Sequence, residues 1–212
     1  LIGALIMVHG DDKGLRLPPK IAPIQIIIIP ISKNEDDLNE IKKNLNPFIN
    51  ELNNSNVRFK IDERLTVTPG YKFNEWEMKG VPIRVEVGPR DMKEKSIMYA
   101  RRDTNQKNSC KIKIAATNLT LLLNEIQNNM YDQAYNFMHE NTYTVDSYEQ
   151  FKSTVKKGGF IKCGWDGKAQ TEAAIKLETK ATIRCILSEN NTIKCIYSNQ
   201  SAKYEVIYAK AY

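Results

Sequence analysis

A chain of 212 residues that is 42% hydrophobic and 26% charged is an ordinary soluble globular polypeptide, long enough for one large or two small domains. Its four cysteines, spread along a chain whose start does not read as a signal peptide, do not suggest a disulfide scaffold, and a reducing, cytoplasmic setting is the expectation. The net charge of +6 is uneven: from Val81 to Lys113 nine basic residues face four acidic ones, so that stretch alone carries +5.

The chain opens on an apolar octet, Leu1 to Val8, too short to cross a bilayer and without the basic flank of a leader. Ile2 to Val8 is expected to be a strand of a domain whose earlier part precedes Leu1, with His9 to Asp12 as the turn leaving it. Ala22 to Ile31 is a continuous apolar run bounded by prolines, the pattern of a strand buried on both faces. Ser32 and Glu35 have the spacing of a capping box, and Leu38, Ile41 and Leu45 recur at helical intervals. Asn46-Pro47 interrupts that helix and restarts it with Phe48, Ile49 and Leu52 on the same face. Val57, Phe59 and Ile61 alternate as a second strand. A short helix follows, with Thr68 as cap, Pro69 at its first position, Tyr71 to Met78 as its body and Gly80 just past its end.

Val81, Ile83, Val85 and Val87 alternate with Arg84 and Glu86, which predicts a strand with one polar side. SIMYARR and SCKIKI read as a hairpin with a basic outer face. A long helix carries Leu119, Leu122, Leu123, Ile126, Met130, Ala134 and Phe137 on one stripe. Strands and helices in this order imply an α/β domain with a mixed sheet over residues 22–140. His139 to Ser147 reads as a linker. Beyond it, a smaller α+β unit is predicted: a helix from Tyr148, strand FIKC, helix QTEAAIKLE, strand ATIRCIL, a hairpin partner TIKCIYS and the terminal strand YEVIYAKAY.

Four segments carry a family resemblance: LIGALIMVHGDDKGLRLPPKIAPIQIIIIPI, GVPIRVEVGPRD, ETKATIRC and the final AKAY. In this order and spacing the chain resembles prolyl-tRNA synthetases of the eukaryotic and archaeal type, from the end of motif 3 of the class II catalytic domain onward. The resemblance implies three parts. Residues 1–21 would be a remnant of the class II antiparallel catalytic sheet, with Gly3, His9 and Gly10 in the tail of motif 3. Residues 22–140 would be the anticodon-binding domain, a mixed sheet with helices on both faces. Residues 141–212 would be the C-terminal domain, zinc-binding-like but degenerate. It further implies a proline–tRNA ligase that uses ATP and Mg2+ to form prolyl-adenylate and charge tRNA-Pro, and that dimerises through a catalytic domain lying outside this chain. This chain alone would not activate proline. A free-standing tRNA-binding module without ligase activity is the alternative.

The same resemblance implies an anticodon whose second and third bases are guanine. Arg forks match guanine O6 and N7, and a carboxylate accepts from N1 and N2. Arg84, Glu86, Arg90 and Asp91 are therefore the candidate readers, with Arg101, Arg102 and Lys111 as backbone or loop contacts. Relatives often hold a structural zinc with two cysteine pairs. Here the matching positions are Cys163, Thr171, Cys195 and Ser198, and two hydroxyls are poor zinc ligands, so no zinc is expected. Cys185 and Cys110 are expected to be buried strand residues. The terminal Tyr212 is expected to dock toward the catalytic domain, as the last tyrosine of relatives does.

Overall fold

The computed structural model describes residues 2–210, which fall into two compact units, one up to Ala134 and one from Tyr135. The Tyr212 expectation lies outside the described residues. No helix among them is long and apolar enough to cross a membrane.

The first unit starts with α1 (Ile2–His9), where a strand was expected. The described residues offer it no partner strand, whereas a helix satisfies its backbone locally, down to Gly10 N–H bonding Ile6 O at 2.8 Å. From residue 10 to 21 there is no antiparallel sheet, only an isolated bridge between Asp11 and Gly14.

β1 (Ile26–Pro30) is buried at all five positions. It is followed by α2 (Glu35–Asn54), β2 (Phe59–Ile61), α3 (Pro69–Met78) and β3 (Ile83–Val87). Then come α4 (Pro89–Glu94), β4 (Ser96–Arg101), β5 (Lys107–Lys111) and the long α5 (Ile112–Glu140). The sheet order is β2-β1-β3-β4-β5, parallel across the first three and antiparallel in the hairpin.

One face of this sheet, with Ile26, Ile28, Ile83, Val85 and Val87, is sealed by Ile41, Leu45 and Phe48 of α2 and Leu119, Leu123 and Ile126 of α5. On the other face Ile27 and Ile29 meet Trp76 of α3 and Val81.

Several local expectations are corrected. Asn34, not Ser32, caps α2, its Oδ1 accepting from Asp37 N–H at 2.8 Å. Pro47 does not break the helix, because it is exposed and the carbonyl it leaves without an intrahelical partner is on the solvated side. A helix for which the sequence reading had no place, α4, starts after Gly88, whose N–H donates to the Asp91 carboxylate at 2.8 Å. Only Lys107–Lys111 of the second hairpin arm is strand, and α5 begins at Ile112.

In the second unit, β6 (Thr142–Thr144), α6 (Tyr148–Lys157), β7 (Phe160–Trp165), α7 (Ala169–Thr179), β8 (Ala181–Glu189) and β9 (Tyr204–Lys210) form a four-stranded sheet in the order β6-β7-β9-β8. The segment read as a linker supplies β6, a parallel edge strand paired with Phe160 to Lys162. Residues 192–198 are not the hairpin partner of β8. They form turns held by Ile196 N–H to Gly164 O at 2.9 Å, and β9 pairs with β8 instead.

Cys185 is exposed rather than buried, and Cys110 only partly buried. β8 is an edge strand whose register slips between Ile183 and Cys185, so alternation no longer carries that side chain to the core. The core of this unit gathers Phe151, Ile161, Cys163, Ile175, Val206 and Tyr208.

Leu45 has no exposure and sits in the larger core. Leu45→Ala should cost about 2–5 kcal/mol of stability, read as a shift in the denaturant midpoint at unchanged slope.

Candidate nucleic-acid interface

α3 covers the second sheet face over β1 and reaches Arg84 of β3 through Phe73 and Glu77; β3, β4 and β5 make the rest of this face. Register fixes what this part displays. Arg84 pairs with Ala100, which pairs with Lys107; Glu86 pairs with Met98, which pairs with Ser109. Directly opposed residues project to the same side of a sheet. The result is a floor of small or apolar side chains bordered by two cations and a carboxylate.

At its edge is a cavity of about 110 Å³ lined by Lys13, Trp76, Glu77, Arg84, Asn105 and Lys107, among others. Arg84 bonds Glu86 through Nε at 3.0 Å and Nη2 at 2.9 Å, and its guanidinium lies 4.5 Å from the Phe73 ring centroid. Lys107 Nζ approaches Glu86 Oε1 at 3.3 Å, and Lys13 Nζ approaches Glu77 Oε1 at 3.1 Å. Three cations thus share two carboxylates. The cations retain donors for an incoming ligand, Lys107 with a side chain 52% exposed.

The other predicted residues divide. Arg90 is 92% exposed on α4, with Glu94 at 3.5 Å, and Lys111 Nζ donates to the Glu94 carbonyl at 3.0 Å. These two lie around α4 rather than beside Arg84. Asp91 is engaged in capping that helix.

Arg101 is held in a fork by Asp103 at 3.0 and 2.8 Å, and Asn129 of α5 donates to the same carboxylate at 2.7 Å. Burial opposes the charge on Asp103, yet the Arg101 and Asn129 bonds hold its pKa below the ordinary value. Arg102 is 4% exposed in its side chain. It forks onto Asp11, with Nη1 at 2.7 Å, and donates through Nε to the Glu77 carbonyl at 3.0 Å. Sequence reasoning did not single out Lys13, Glu77, Phe73 or Lys107. Lys107 could have been found from the hairpin register, whereas nothing in the sequence marked Lys13.

Of the three residues matched to the tail of motif 3, Gly3 is open on its Cβ side, and His9 accepts at its carbonyl from Arg16 Nε at 2.9 Å. Gly10 packs against the Ile6 carbonyl.

In the second unit, the hydroxyls of Thr171 and Ser198 both donate to Asp166 Oδ2, at 2.9 and 3.0 Å, and Lys168 N–H donates to Oδ1 at 3.1 Å. Burial works against this charge, but those three bonds hold the Asp166 carboxyl below its usual value. Cys163 belongs to the core instead, and burial pushes its thiol up to about 12. A tetrahedral zinc needs four ionisable or imidazole donors. Here two positions are hydroxyls already committed to a carboxylate, so the residues present do not fit the metal.

Two family models match the chain. Residues 25–120 match the anticodon binding domain, and residues 148–212 match the prolyl-tRNA synthetase C-terminal domain. The two matched domains together define the class as an aminoacyl-tRNA synthetase, in the part that carries its anticodon binding domain.

The whole chain is 44% identical to part of a proline–tRNA ligase of Amoebophilus asiaticus, covering 44% of that protein. It is likewise 44% identical to one of Porphyromonas gingivalis, covering 43%, and 42% identical to one of Roseiflexus, covering 45%. The chain spans less than half the length of these relatives and belongs to the prolyl-tRNA synthetase family.

Two outcomes check the site. Arg102 lowers the Asp11 carboxyl from 3.8 to about 2 through its side-chain bonds, against burial and aided by the Lys13 backbone and Arg16. A carboxyl depressed by folding stabilises the native state fully above its unfolded pKa and loses that contribution as pH falls toward its folded value. Acid titration of stability should therefore steepen from about pH 4 to 2, and Asp11→Asn should remove that component. Separately, Asp166→Asn should lower the melting temperature by removing the charge from three bonds, and elemental analysis of the purified parent chain should find less than stoichiometric zinc.

Proposed function

We propose that this chain supplies anticodon recognition and the C-terminal domain of a cytoplasmic proline–tRNA ligase. The whole enzyme would condense proline with ATP, assisted by Mg2+, and transfer the prolyl group to tRNA-Pro, working as a homodimer. Catalysis and dimerisation would belong to sequence outside this chain. The observation that carries the reading is the half-covered sheet face bearing Arg84, Glu86 and Lys107 within the residues that match an anticodon-binding domain. Similarity over the full chain to the ligases, rather than over the anticodon-binding residues alone, favours a ligase part over a free-standing module.

The chemistry suits an unpaired base. Both cation contacts to Glu86 use Oε1. A carboxylate has room for further donors, and guanine N1–H and N2–H offer two on one edge. Arg84 and Lys107 would take O6, N7 or a neighbouring phosphate. Ala100 and Ser109 leave the floor low enough for a flat base to approach, and splayed loop bases are how proteins read RNA sequence. Arg90, exposed on α4, would contact the backbone.

Binding to an anticodon stem-loop with guanine at its second and third positions tests this. Glu86→Gln should cost about 1–3 kcal/mol on that RNA and far less on one with either guanine replaced. Arg90→Ala should weaken both RNAs alike and flatten the salt dependence. Equal losses on the two RNAs for Glu86→Gln would remove Glu86 as a base reader.

A further inference from the structure

Residues 11–17 were expected to lead out of a preceding domain, yet Lys13 among them lines the cavity beside Arg84. Leu15 N–H bonds the Met78 carbonyl at 2.9 Å and Leu17 N–H bonds the Gly80 carbonyl at 3.0 Å. The contact is close enough that a Cβ on Gly14 would lie 2.6 Å from the Met78 carbonyl oxygen, and one on Gly80 2.7 Å from Leu15. Both glycines have positive φ, +121° and +76°, so side chains are disfavoured there twice over. This strap places Lys13 on the cavity wall, 3.1 Å from Glu77, which in turn lies 3.5 Å from Arg84.

The strap's most buried charged anchor is the fork from Arg102 onto Asp11, beside which Arg16 donates to the Asp103 carbonyl and to Gln133, each at 3.4 Å. Releasing it would leave a guanidinium 4% exposed without its carboxylate, which is costly. Arg102 also donates to the Glu77 carbonyl, at 3.0 Å. The anchor and the cavity wall are therefore joined through a single residue of α3.

We propose that Asp11 is a positioning residue for anticodon binding: its fork on Arg102 seats the strap, and the seated strap presents Lys13 to the RNA backbone beside the Arg84–Glu86 pair. The proposal rests on the reading of this face as the anticodon interface. RNA binding and strap seating then form one equilibrium, and each strengthens the other by the same factor.

The test uses this chain, an anticodon stem-loop and two variants, Asp11→Asn and Lys13→Ala. Lys13→Ala should lower affinity severalfold whatever the anticodon sequence, and reduce the salt slope by about 1. Asp11→Asn should lower affinity at least as much, and the double variant should be no worse than Asp11→Asn alone. Saturating RNA should slow hydrogen exchange at the Leu15 and Leu17 amides of the parent chain. Should Asp11→Asn fail to fold, the Lys13→Ala affinity and the parent's amide exchange still decide the matter. Parent-like affinity in folded Asp11→Asn, additive losses, or unchanged exchange at both amides would each overturn the proposal while leaving the anticodon reading standing. Absence of RNA binding by the parent chain would overturn that reading and the proposal together.

Discussion

A strand apolar on both sides must be covered twice, and in the first unit the second cover runs out halfway. β1 is buried at every position, which forces helices onto both faces of the sheet. α2 and α5 seal one face from end to end, with a core running from Ile41 to Met130. α3 is only ten residues long; it shields Ile27 and Ile29 and lays Phe73 and Glu77 against Arg84 of β3. The strands beyond it must present a surface compatible with water, and alternation in β3 supplies Arg84 and Glu86 at those positions. The candidate interface is thus a consequence of how the core is closed.

Charge on that surface is arranged rather than accumulated. The stretch from Val81 to Lys113 carries a large positive excess, but its arginines are not a free cationic field. Arg101 and Arg102 are fixed by Asp103 and Asp11, and Arg84 is held by Glu86 against Phe73. Long side chains pinned in this way lose little further freedom on binding, so their donors are presented in fixed directions. Lys107 and Arg90, which are more exposed, supply the longer-range attraction to phosphates.

The second unit solves a different problem, that of joining a turn to a helix start without a metal. Asp166 gathers Thr171 on α7 and Ser198 in the turn after residue 195. Charge-assisted hydrogen bonds of this kind are about twice as strong as neutral ones, and they need neither thiolates nor metal supply. The core behind them, with Phe151 edge-on to Tyr208 at 5.2 Å, carries the remaining stability.

Elements whose signal is local were legible in the sequence: β1 from its unbroken apolar run, α3 from Thr68, Pro69 and Gly80, β3 from its alternation, and α7 from its helical run. Where the outcome depended on a distant partner, the sequence misled. Ile2 to Val8 is apolar enough for a strand but meets no partner strand among the described residues, and is the helix α1. Thr142 to Thr144 looks like a connection until β7 lies beside it. Arg101 and Arg102 look alike side by side, yet one reaches Glu125 of α5 and the other Asp11, because β4 ends at Arg101 and the chain turns from Arg102 on. The sequence by itself determined the family, the doubly buried strand and the two-sided character of β3, since these follow from residue order and side-chain period. Which cations stay available, that Lys13 joins them, and that Asp166 rather than Cys163 meets Thr171 and Ser198 were decided only by the tertiary structure, because hydrogen bonds and ion pairs are set by distance in space between residues far apart along the chain.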